Sequence, residues 1–148
     1  MTLKERLQED WKTALKAKDK FKASTISMAK AAVLLAEKTD GVQLDDAKVV
    51  DVLAKEVKQR RDSMLEFEKG NRQDLVDQTK AEIEILLNYL PQQLSESEIS
   101  DIVRKAVDET GANSMKDMKA VMAIVTPATK GRADGKMVSK LVRDSLNK

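Results

Sequence analysis

The chain predicts an all-α fold in two parts: an N-terminal helical bundle and a small C-terminal three-helix subdomain. Three observations carry this. The 148 residues are 35% charged and rich in Ala, Leu, Lys and Glu, with only two prolines, which is a helix-forming composition. Apolar residues recur at spacings of three and four along every long segment, and no run alternates as a strand would. Capping residues and glycines punctuate the periodic stretches at helical lengths.

Thr2 with Glu5 reads as a capping box, after which Leu3, Leu7, Trp11, Ala14 and Leu15 fall on one face. Asp19 caps a second helix to about Lys38, with Phe21, Thr25, Met28, Ala29, Ala32, Leu35 and Ala36 as its expected inner face and Gly41 closing it. Asp45 begins a long third helix that ends at Gly70, with Val49, Leu53, Val57, Met64 and Phe67 buried. Asn71 is expected to cap a fourth, carrying Leu75, Thr79, Ile83, Leu86, Leu87 and Leu90, until Pro91 stops it. Ser95 with Glu98 forms a second capping box for a fifth helix ending near Gly111. Ser114 is expected to cap a sixth, with Met115, Met118 and Met122 in the core, cut off by Pro127. Asp134 or Gly135 starts a seventh, with Met137, Val138, Leu141, Val142 and Ser145 facing inward. The run Pro91-Gln92-Gln93-Leu94-Ser95 marks the boundary, so the parts are residues 1–91 and 96–148.

Charge separates the parts. Residues 1–91 balance 17 Lys/Arg against 17 Asp/Glu, while residues 113–148 hold eight Lys/Arg against three Asp. A cationic tip on a balanced chain points to a polyanion, and nucleic acid is the commonest one. Lys136, Lys140 and Arg143 fall within one sector of the seventh helix, with Lys130 and Arg132 just before it. A helix start with free N–H groups suits a phosphate, and Gly131 and Gly135 would let backbone come close. A solvated face is the competing reading. With four aromatics in all and none among these cations, the expected contacts are to phosphate and sugar, not stacked bases. A second lysine run, Lys12 to Lys30, is broken only by Asp19.

On the third helix Arg60 projects into the apolar stripe, four residues after Glu56, which predicts a structural ion pair with Glu56, Asp74 or Glu82 as partner. An alternative is an anion site built from Arg61 and Arg72 between the third and fourth helices. No His or Cys is present, which removes the usual general base and thiol nucleophile, and no ligand spacing calls for a metal or cofactor. No run approaches a membrane span and no signal-peptide core opens the chain, so the composition predicts a soluble, cytoplasmic protein.

Two stretches resemble the GatB/YqeY family. One is K-x-V-K-Q-R-R-D-S-M-x-x-F-E-K-G-N-R-x-D-L from Lys55 to Leu75, with Tyr89-Leu90-Pro91-Gln92-Gln93-Leu94-Ser95. The other is D-M-K-A-V-M from Asp117 to Met122, with Lys130-Gly131-Arg132-Ala133-Asp134-Gly135-Lys136-Met137-Val138. The resemblance spans nearly the whole chain and suggests a stand-alone YqeY-like member. It implies a wholly helical, two-part fold and kinship with the tail domain of the aminoacyl-tRNA amidotransferase B subunit, whose tail contributes tRNA binding. The expectation is therefore a tRNA-binding accessory module. Two rivals stand beside it. One is an enzyme or subunit with carbon–nitrogen ligase activity using glutamine as amide donor, the family's usual label. The other is a protein–protein adaptor for a synthetase or amidotransferase, docking through the acidic helix at 96–112.

Overall fold

The computed structural model describes residues 1–147 and contains, among them, seven α-helices, one 3-10 turn and no strand. The helices are α1 (Leu3–Lys16), α2 (Lys20–Asp40), α3 (Asp46–Lys69), α4 (Gln73–Leu87), α5 (Glu96–Thr110), α6 (Met118–Thr129) and α7 (Gly135–Leu146), with the 3-10 turn at Met115–Asp117 before α6. The chain divides into two compact units, Met1–Pro91 and the residues from Gln92 onward.

Local chemistry sets most helix starts. The side chains of Thr2, Asp19, Asp45 and Ser95 each accept a hydrogen bond from the backbone N–H three residues on, satisfying a donor that the helix itself leaves orphaned. At Ser95 the box is complete, because Glu98 reaches back to the Ser95 N–H. Asp46 adds a cap across elements: its Oδ1 accepts from the Leu3 N–H at 3.0 Å.

Three expectations are corrected. Asn71 does not cap α4. It takes a left-handed conformation (φ 57°) at the end of α3, with Asn71 N–H bonded to Glu68 O and Arg72 N–H to Phe67 O. Asparagine, not the preceding Gly70, makes the reversal because its short polar side chain tolerates positive φ. Lys18 (φ 60°) does the same after α1, an unusual post for a lysine. The sixth helix also does not stop at Pro127, which lies inside α6. The carbonyl this proline leaves unpaired belongs to Ala123, and both residues are exposed, so water can serve it. Ser114 makes no side-chain cap and leads instead into the 3-10 turn.

The core of the first unit gathers Leu7, Ile26, Leu53, Val57 and Leu86, all nearly inaccessible. Burying each such side chain contributes about 1.5–3 kcal/mol. Here the inner face of α2 is rotated from expectation: Ala23, Ile26, Ala29 and Val33 are buried, while Phe21, Met28 and Leu35 stand 40%, 41% and 66% exposed. Small residues on one side and branched ones on another made the two faces hard to rank by periodicity alone. The second unit packs Ile99, Val103, Val121, Val125, Val138 and Val142 together, an entirely apolar cluster. Met115 and Met137, expected inside, are exposed.

Candidate nucleic-acid interface

The cationic tip is built by the turn between α6 and α7. Thr129 ends α6 by returning its hydroxyl to Val125 O at 3.0 Å. Lys130 then extends, and Gly131 adopts φ 72°, a reversal for which glycine carries no Cβ penalty. Three hydrogen bonds stitch this turn to the segment after Pro91. The Leu94 N–H donates to Arg132 O at 2.8 Å, the Gln93 side-chain amide to Gly131 O at 2.8 Å, and Arg132 Nε to Gln92 O at 3.2 Å. The linker amides were legible only as polar residues after a proline; their partners lie about forty positions away, beyond any local rule.

These bonds give Arg132 a tethering role. It is half-buried, and its Nε is committed to a backbone carbonyl. Gly135 has no neighbour that a Cβ would meet, so nothing in the fold demands its small size. The start of α7 already holds an anion: Asp134 Oδ1 accepts from the Lys136 N–H at 3.1 Å, where an incoming phosphate would otherwise sit. The helix start therefore contributes less to the site than the side chains that follow it.

Those side chains form the stronger feature. Val138, Val142 and Leu146 turn one face of α7 into the core. Lys136, Lys140 and Arg143 stand exposed on another, with Lys130 exposed at the preceding turn. Lys140 and Arg143 form no ion pair among the described residues, whereas Lys130 and Lys136 each interact within the chain. Asp144 lies off the stripe by about a quarter turn.

The first unit uses its arginines differently. Arg60 is 15% exposed at its side chain; its Nη1 donates to Glu56 O at 3.2 Å and lies 3.6 Å from Glu56 Oε2, and its Nε lies 4.0 Å from Glu82 Oε1. Its Nη2 reaches the Met28 sulfur at 3.9 Å. The Nε is buried without a hydrogen bond, since 4.0 Å is too long for one. Asp74, another candidate partner, is taken by Arg72 in a two-pronged pair of 3.1 and 3.0 Å. That pairing holds the Asp74 carboxyl below, and the Arg72 guanidinium above, its ordinary pKa. Arg72 is thus paired locally with Asp74.

Tyr89 was not singled out by the sequence for a role. Its hydroxyl donates to Asp10 at 2.6 Å, Arg6 lies over its ring at 4.8 Å, and burial, reinforced by the Asp10 bond, raises its pKa well above the usual range. The contact ties the end of α4 to α1. Glu37 holds Lys4 at 2.7 Å and the Leu44 N–H at 2.9 Å, and the Lys4 bond, followed by the Leu44 one, lowers its pKa.

No group of acidic side chains that could hold a metal is present among the described residues. No helix among them is long and apolar enough to cross a membrane.

A family profile described as Yqey-like protein matches residues 4–146. A relative from Pyrenophora tritici-repentis, named Altered inheritance of mitochondria protein 41, mitochondrial, is 33% identical over 94% of this chain and 78% of its own length. Proteins of the same name from Lachancea thermotolerans and Kluyveromyces lactis are each 39% identical, over 70% and 56% of this chain and 57% and 45% of their own lengths. These names overturn the cytoplasmic setting expected from composition, since the relatives are named mitochondrial. Absence of cysteine reports on redox chemistry, not on address.

Proposed function

The chain belongs to the YqeY-like protein family, and from that premise we propose that it is a non-catalytic tRNA-binding accessory module that grips the RNA backbone with its C-terminal tip. The observation that carries this reading is the exposed stripe Lys136, Lys140 and Arg143 on α7, joined by Lys130, with Lys140 and Arg143 unneutralised by any carboxylate among the described residues. Cations on a helix have their backbone positions fixed before they meet phosphates, and they read shape, not sequence. Arg132, Gln92 and Gln93 position the turn from which the stripe extends. The resemblance to the amidotransferase tail domain selects tRNA from among polyanions. The transamidation reading has less support: with no His and no Cys, the chain offers neither imidazole nor thiol for chemistry on a charged tRNA.

Fluorescence anisotropy with labelled bulk tRNA tests the proposal. Replacing Lys136, Lys140 and Arg143 together with Gln is expected to weaken binding at least tenfold, about 1.4 kcal/mol. Unchanged affinity in that variant would remove the proposal.

A further inference from the structure

The reversal between α1 and α2 gathers five lysines. Lys12 and Lys16 lie one turn apart at the end of α1, Lys18 makes the reversal, and Lys20 and Lys22 stand in the first turn of α2. All five are exposed, and none forms an ion pair among the described residues. The sole acid from Lys12 to Lys22 is Asp19, whose carboxylate is committed to the Lys22 N–H as the cap of α2. The turn is tight: the Lys18 N–H donates to Leu15 O at 3.1 Å and the Asp19 N–H to Ala14 O at 2.9 Å. The charges therefore converge on the tip of one helical hairpin.

Stability does not account for three of these lysines. Lys18 sits at φ 60°, where a Cβ is penalised and glycine or asparagine is the usual occupant. Lys20 and Lys22 put positive charge at the N-terminal end of α2, where the helix dipole disfavours it and where the first turn holds no acid. Residues kept where they cost stability point to a use. Two large apolar side chains stand among them, Leu15 at 49% and Phe21 at 40% exposed. Side chains in the first turn of a helix lean toward its start, so Phe21 leans with Lys20 and Lys22 toward the reversal.

We infer that this tip docks on the surface of an anionic lipid bilayer. Compact ammonium charges suit a diffuse sheet of negative headgroups, where each lysine strengthens binding about fivefold. Leu15 and Phe21 enter the boundary between headgroups and acyl chains, which takes up apolar side chains. Nucleic acid, the other polyanion, fits less well. None of the five cations is an arginine, whose fork grips phosphates two oxygens at a time, and an exposed leucine gains nothing from a phosphate backbone. Glu84 of α4 shares a shallow hollow with Phe21 and Lys22, so Lys16, Lys18 and Lys20 carry most of the attraction.

Vesicle sedimentation with the full chain tests this, in a background where Lys136, Lys140 and Arg143 are replaced by Gln so that α7 adds no charge. Phosphatidylcholine vesicles with about 30% phosphatidylserine should capture the chain, and pure phosphatidylcholine vesicles should not. Lys16→Gln, Lys18→Gln and Lys20→Gln together should weaken capture about a hundredfold. Lys18→Gly alone should weaken it about fivefold while the melting temperature rises, because glycine is at ease at positive φ; that loss cannot come from unfolding. Leu15→Ser with Phe21→Ser should weaken capture at unchanged charge. No capture by anionic vesicles, equal capture by neutral ones, or capture that the triple lysine replacement leaves unchanged would overturn the inference. If that replacement spares vesicle capture but lowers tRNA affinity in the chain with its α7 stripe intact, the tip belongs to RNA and the inference falls.

Discussion

The two units use their key cations differently. In the first, four cations are held against partners of the fold: Arg60 between Glu56 and Glu82, Lys4 on Glu37, Arg6 over Tyr89, and Lys30 over the Trp11 ring at 4.2 Å. In the second, the cations of α7 remain on the surface, and Lys140 and Arg143 form no ion pair among the described residues. The units differ in backbone as well. Left-handed positions in the second fall on Gly111 and Gly131, but in the first they fall on Lys18 and Asn71 besides Gly41. A count of arginines and lysines therefore says little about binding until their partners are known. A cation with a buried carboxylate beside it is structural, and one on a helix face without a partner is available to a ligand.

The largest effect should come from breaking the interior network. Arg60→Ala leaves Glu56 and Glu82 facing each other with no cation, and urea denaturation should show a loss of about 3 kcal/mol. A loss under about 0.5 kcal/mol would erase the contrast between the units. Tyr89→Phe should cost about 1 kcal/mol by removing the bond to Asp10. It should also change the pH profile. Because the folded chain holds the Tyr89 proton more tightly than the unfolded chain does, the native protein should lose stability as pH climbs past 10, the ordinary tyrosine value. That alkaline loss should shrink in the phenylalanine variant. At the acid end Glu37, whose pKa is lowered, contributes stability that is lost as pH falls below its ordinary range near 4.5. Lys18→Gly should stabilise the first unit by about 0.5–1 kcal/mol, since glycine takes positive φ without the penalty a lysine carries. A thermal melt would register it as a rise of a few degrees.

Much of the fold was legible because it is local. Thr2, Asp19, Asp45 and Ser95 cap as their spacing predicts, and Gly41 and Gly111 close their helices in the left-handed region. What escaped was decided at a distance or by competing local options. Asn71 could cap or reverse, and only the chain on both sides settles which. Pro127 reads as a stop, yet near the end of α6 it costs one hydrogen bond, to the carbonyl of the exposed Ala123. The face of α2 was misjudged because apolar residues surround it, so periodicity could not tell the core from the outer stripe. At the tip the cations could be read from sequence, but the commitment of Arg132 to Gln92 and the occupation of the α7 start by Asp134 could not.

The contrast between spent and available charge is tested most directly by the salt dependence of tRNA binding. Neutralising about four phosphates predicts that log K falls against log salt with a slope near −3 to −4, and that replacing Lys136, Lys140 and Arg143 with Gln brings the slope close to −1. A slope near zero in the native chain, or one that the triple replacement leaves unchanged, would contradict binding through the α7 stripe.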